Sequence, residues 1–164
     1  MAADWSKAKN EAAKVLKEYG PLKPPVDPEY IAEAMGVDVV YANFSPEMRN
    51  KISGFIQFEP LRIVVNSDLH PNRMTFTIAH ELAHFILHRN YAQSNAYQVM
   101  PRQNDYSEKK PPEEQEADCF AAELLVPNEM LKKYKDYASP RELARIFAVS
   151  EDVILNRLKS LRHT

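Results

Sequence analysis

Residues 75–88 read TFTIAHELAHFILH, three histidines and a glutamate inside a run that is otherwise almost wholly apolar. Imidazole and carboxylate groups are tolerated among apolar neighbours when they are paired or when they coordinate a metal ion. The run predicts a helix from near Pro71, a favourable first-turn residue, to about His88. His80 and His84 are four residues apart, so both imidazoles share one face and can reach one ion. Glu81 lies about 100° around the helix from His80, which sets its carboxylate beside such an ion and not on it. That is where a base acting on a water molecule would sit. Chance supplies on the order of 0.01 such arrangements in a chain of this composition.

A hydrolytic zinc site takes three protein ligands and keeps one position open. The third is sought in the acidic segment 113–126, EEQEADCFAAELLV. Read as a helix, this segment has an apolar stripe of Ala117, Phe120, Ala121, Leu124 and Leu125. Glu114 falls on the stripe and Asp118 on its border, whereas Glu116 and Glu123 project to the opposite, wet side. An acid on a core-facing stripe needs compensation, which a metal supplies, so Glu114 is expected as third ligand. Asp118, one turn on, can accept the free N–H of a ligating histidine and fix its tautomer. His88, one turn past His84, is expected behind the site or holding the loop that follows. Glu113 suits a helix-start acid, and Cys119 a small buried hydrophobe.

The rest of the chain frames these two segments. At 164 residues it can bury a core without disulfides, and its single cysteine allows no disulfide framework and no cysteine-based zinc site. With 45% hydrophobic and 27% charged residues the composition is that of a globular protein, and a formal charge of −2 argues against strong nucleic-acid binding. No run nears the ~18 apolar residues of a membrane span, and the amino end has no apolar core of a secretory signal. A cytoplasmic location without membrane association is the expectation.

Helices are predicted over 3–19 and 29–35, strands over VDVVYANF, KISGFIQFE and RIVVNSD, and a short helix near 130–134. The carboxyl end reads as two helices joined at AVS, capped by Ser139 and Ser150. Residues 89–112 show no period and read as a long loop, a length often tied to function. The fold class is therefore α+β: a small three-stranded sheet packed on the central histidine-bearing helix, with further helices around it. Residues 1–138 would form the metal-binding domain, and 139–164 a helix-turn-helix-like pair packed as part of it.

FTIAHELAHFILH followed by EEQEADCFAAELLVP resembles the two hallmark segments of the ImmA/IrrE family of zinc metallopeptidases, and the likeness extends upstream through PPVDPEYIAEAMGVDVVYANF and SGFI. The resemblance implies one zinc ion per chain held by His80, His84 and Glu114, with Glu81 as catalytic acid/base, on a gluzincin-like core. It also implies cleavage of a repressor or regulator that itself contains a helix-turn-helix. Val126 stands where the family usually has methionine, a conservative change. Some members carry a DNA-binding segment at the amino end; nothing before residue 20 is long enough, so the repressor is expected on a separate chain.

The residues and the resemblance together lead to a zinc-dependent endopeptidase acting on a regulatory protein. The substrate would lie extended against the strand carrying Gly54, Phe55 and Ile56. Tyr91, Tyr97, Tyr106 and His88 are all conceivable donors to the developing oxyanion. A competing reading makes the chain a DNA- or protein-binding regulator with a structural or latent metal site. It rests on RELARIFAVSEDVILNRLKSL, whose spacing resembles a helix-turn-helix, with Arg157, Lys159 and Arg162 available to phosphates. A third keeps the site but fills it with iron, which two histidines and a carboxylate also suit.

Overall fold

The computed structural model describes residues 2–102 and 110–162. Helix α1, Trp5–Tyr19, starts at Asp4, whose side chain accepts the Lys7 N–H, and buries Ala8, Ala12 and Val15. Asp27 likewise caps α2, Pro28–Ala34, by accepting from the Glu29 and Tyr30 amides. Gly36, at φ +89°, then turns the chain in a backbone conformation that side chains disfavour. Strand β1, Asp38–Ala42, and the single turn α3, Pro46–Arg49, lead to the hairpin of β2, Ile52–Phe58, and β3, Leu61–Asn66.

The long helix α4, Pro71–Leu87, follows, then the short α5, Arg89–Ala92, and the two-residue strand β4, Met100–Pro101. Helix α6, Pro112–Leu125, crosses α4. The chain finishes with α7, Asn128–Tyr134, α8, Pro140–Phe147, and α9, Glu151–Arg162. The α+β class is as the sequence reading has it, but among the described residues the sheet has four strands, in the order β1-β3-β2-β4. β1 runs parallel to β3, and β2 is antiparallel to both its neighbours. The extra strand lies inside the stretch read as loop. A two-residue strand has no period to detect, and β4 exists because Met100 is buried against the sheet while Arg73 donates to the Pro101 carbonyl.

Helix α4 is packed between β2 on one side and α6 on the other. Residues 77–85 are therefore buried all round, which explains why they carry no solvent-facing polar stripe and why their only polar groups, Thr77, His80, Glu81 and His84, are themselves buried. The sheet approaches α4 closely at Gly54, where a Cβ would stand 2.7 Å from Thr77 Cγ2 and 2.5 Å from the Val64 carbonyl oxygen. Leu82, Phe120 and Leu124 are wholly buried around this crossing, each contributing about 1.5–3 kcal/mol. The crossing of α4 and α6 is what brings the two polar segments face to face.

The C-terminal pair shares this core through Leu143, Phe147, Val149 and Ile154. Ser139 and Glu142 form a reciprocal capping box at the start of α8, and the Ser150 hydroxyl accepts the Val153 N–H at α9. Arg157 is buried and donates to the Val126 carbonyl, to Glu123 and to Asn128. Of the three cations offered to phosphates, this one is used inside the fold, while Lys159 and Arg162 are exposed. Glu123 is likewise turned into an ion pair with only 14% of its side chain exposed, and is not on a wet face as its helical position suggested.

Candidate metal centre

His80, Glu81 and His84 sit on adjacent turns of α4 and are all 0% exposed, and Glu114 of α6, also 0% exposed, faces them. One ligand atom from each of His80, Glu81 and His84 lies within 4.8 Å of the others. Glu114 bridges the imidazoles, with Oε1 2.9 Å from His80 Nε2 and Oε2 3.1 Å from His84 Nε2. Atoms bound to one tetrahedral zinc at ~2.0–2.1 Å would stand about 3.3 Å apart, and each of these two contacts lies within a few tenths of an ångström of that separation. Glu81 Oε2 is 3.9 Å from His80 Nε2, beside the cluster. Among the described residues, the buried side-chain atoms Glu81 Oε2 and His84 Nε2 have no hydrogen-bond partner. Bare lone pairs on buried atoms are costly unless something accepts them, and a cation between these groups would do so. The donor set fits a divalent metal.

The clustered groups also shift one another's ionisation. Burial opposes charge on His80, but the Asp118 and Glu114 carboxylates overcome it and hold the imidazole up at about 10. Burial would raise Glu114, yet the two histidines hold it well below the ordinary carboxylate range. Burial pushes the Glu81 carboxyl up to about 7 and lowers His84 and His88. A carboxylate near neutrality is suited to take and return a proton.

A surrounding shell holds these groups in place. His80 Nδ1 is 2.8 Å from Asp118 Oδ1, and Lys110 donates to the other Asp118 oxygen at 2.6 Å. Asp118 therefore faces the far side of the His80 ring. His84 Nδ1 lies 3.1 Å from His88 Nδ1, and His88 Nε2 lies 2.7 Å from Glu116 Oε1. Glu116 is thus turned inward, with 13% of its side chain exposed, where helical position alone predicted a wet face. The sequence could not reveal this, because it is α1 that covers that side of α6.

Helix α5 and the segment that follows it each supply one tyrosine. Tyr91 donates to Glu114 Oε2 at 2.6 Å, and Tyr97 donates to Glu81 Oε1 at 2.6 Å. The Tyr97 oxygen in turn accepts the Ile56 N–H at 3.0 Å. Among the four conceivable oxyanion donors, Tyr91 and Tyr97 reach the site, His88 is engaged behind His84, and Tyr106 lies outside the described residues. Of the strand residues proposed for substrate, Gly54 is buried against α4, Phe55 stacks with Phe44 at 6.3 Å, and Ile56 shows the site its backbone amide.

Residues 32–159 match the family described as Peptidase_M78, IrrE N-terminal-like domain. A Bacillus phage phi105 protein called uncharacterized immunity region protein 2 is 31% identical over 112 residues, covering 67% of this chain and 65% of its own length. A solved Mycobacterium tuberculosis transcriptional regulator superposes with a TM-score of 0.65 at 19% identity, over 93% of this chain and 55% of that one, which shows a shared fold. Among the described residues no helix is long and apolar enough to cross a membrane.

Proposed function

The chain belongs to the IrrE N-terminal-like family of metal-dependent peptidases, and on that premise we propose that it is a zinc-dependent endopeptidase that hydrolyses a peptide bond in a helix-turn-helix repressor. His80, His84 and Glu114 would hold one zinc ion. When bound, zinc acidifies water and polarises a carbonyl. Glu81 is the acid/base: its Oε2, bare of partners, takes the proton of the attacking water and passes it to the departing amine, while Tyr97 holds Oε1. Tyr91, whose hydroxyl donates to Glu114, would serve as the second oxyanion donor by turning that one hydrogen to the substrate.

Beyond Gly54 the outer edge of β2 is no longer covered by β4, and its Ile56 amide is met by a side chain and not by a strand. A substrate segment would dock there as an added strand, replacing the Tyr97 hydroxyl at that amide. The kinship with a phage immunity-region protein supports a regulatory substrate, and a repressor encoded beside this chain is the first to try.

The observation that carries the reading is the pair of partnerless atoms, Glu81 Oε2 and His84 Nε2, buried within the same cluster as Glu114. It is tested by Glu81→Gln, which should keep zinc at one ion per chain and lose cleavage of the repressor. Cleavage by that variant at the wild-type rate would show that Glu81 is not the base.

A further inference from the structure

His80 and His84 are supported differently. Behind His80 a carboxylate sits directly on the ring, Asp118 at 2.8 Å from Nδ1. Behind His84 there is no carboxylate but a second imidazole, and the carboxylate stands behind that: His84 Nδ1 to His88 Nδ1 is 3.1 Å, and His88 Nε2 to Glu116 Oε1 is 2.7 Å. We propose that Glu116, acting through His88, is a positioning residue that sets the tautomer of His84, and that the amide of Asp4 locks Glu116 in this task. The proposal rests on the reading of His84 as a metal ligand.

The direction of the relay follows from what each group can donate. A carboxylate only accepts, so the hydrogen of His88 must be on Nε2, facing Glu116. A neutral His88 then offers a lone pair at Nδ1, and the 3.1 Å contact becomes a hydrogen bond only if His84 donates from its own Nδ1. His84 is thereby left with a bare Nε2, the atom that lies 3.1 Å from Glu114 and has no hydrogen-bond partner. A metal requires that lone pair.

Glu116 cannot easily turn away. Its second oxygen accepts the Asp4 N–H at 2.7 Å, so both oxygens are engaged. The relay is also dry, with 7% of the His88 and 13% of the Glu116 side chain exposed, and hydrogen bonds shielded from water orient their partners more strongly. One consequence is that the segment leading into α1, far from His84 in sequence, is mechanically tied to that metal ligand.

The test is zinc affinity, measured by competition with a chromophoric chelator, on the wild type, Glu116→Ala, Glu116→Gln, His88→Phe and the Glu116→Ala/His88→Phe double variant. Loss of a partner behind a ligating histidine typically costs about 10–100-fold in affinity. That loss is expected for Glu116→Ala and for His88→Phe. The double variant should bind no more weakly than the worse single one, since both break the same chain. Glu116→Gln keeps one acceptor oxygen for two donors, His88 Nε2–H and the Asp4 N–H, so its affinity should fall between those of the wild type and Glu116→Ala. Long-range ¹H–¹⁵N spectra of the zinc-free wild type should show His84 as the Nδ1–H tautomer, a reading that needs no variant to fold. Wild-type affinity in Glu116→Ala, or His84 as the Nε2–H tautomer, would overturn the relay while leaving the metal site intact. A wild type that fails to bind one zinc per chain would overturn the peptidase reading and the relay with it.

Discussion

Tyr97 donates its hydroxyl hydrogen to Glu81 Oε1 at 2.6 Å while its oxygen accepts the Ile56 N–H at 3.0 Å, so one side chain holds the proposed base and covers the strand edge beside it. Tyr97→Phe removes the oxygen but keeps the ring. It leaves a buried amide and a buried carboxylate oxygen without their partner, so stability should fall by about 1–3 kcal/mol. Urea unfolding measures this, and an unchanged midpoint with an unchanged slope would show that the bridge contributes nothing.

Arg157 and Glu123 form a second buried pair, far from the metal centre in role. Arg157→Met strands the Glu123 carboxylate in a largely dry place, and a loss of roughly 3 kcal/mol is expected. Adding Glu123→Leu should recover part of it, since no charge is then left unpaired. A double variant less stable than Arg157→Met would contradict this account of the pair. So would a gel-shift in which wild-type protein binds DNA tightly and Arg157→Met alone does not, because that would require the guanidinium to be at the surface.

Gly54 marks the place where sheet and metal helix touch. Gly54→Ala would push a methyl to 2.5 Å from a backbone oxygen and 2.7 Å from Thr77 Cγ2, and backbone cannot retreat as a flexible side chain can. Overpacking of this kind costs about 1–3 kcal/mol or more. Thermal unfolding within a degree of the wild type would show that α4 is not seated as closely as described.

Much of the site could be read from residue spacing, and the reason is geometric. His80, Glu81 and His84 belong to one helix, whose period fixes their relative directions before any tertiary contact forms. Glu114 could be found because an acid on an apolar stripe is anomalous, and Asp118 because it lies one turn further. Glu116 and Glu123 fooled the same argument: the side opposite the stripe is wet only if nothing packs there, and α1 and Arg157 do. The roles of Tyr91 and Tyr97 and the strand at Met100 come from an aperiodic segment, where position is decided by what the chain meets and not by its own repeat. The parallel pairing of β1 with β3 was equally hidden, since it joins strands separated by a hairpin arm.

Cys119 offers a check on the electrostatics of α6. Burial, with Glu123 adding to it, pushes its thiol up to about 11. The sign is simple: a raised value means the thiol stays neutral through pH 7–9, and only the thiolate reacts. Alkylation by iodoacetamide should therefore be about a hundredfold slower at pH 7 than for an ordinary cysteine and rise about tenfold per pH unit toward 11. A rate that levels off near pH 8 would place the thiol in a wetter or more cationic setting than the one described.

The central claim is that two imidazoles of α4 and a carboxylate of α6 grip one divalent ion. Diffraction collected on either side of the zinc absorption edge, from protein purified without added metal and then given one equivalent of zinc, tests it most directly. The account predicts a single anomalous peak per chain, ~2.0–2.1 Å from His80 Nε2 and His84 Nε2 and in contact with Glu114. Zinc bound elsewhere, or no peak between those three side chains, would contradict it.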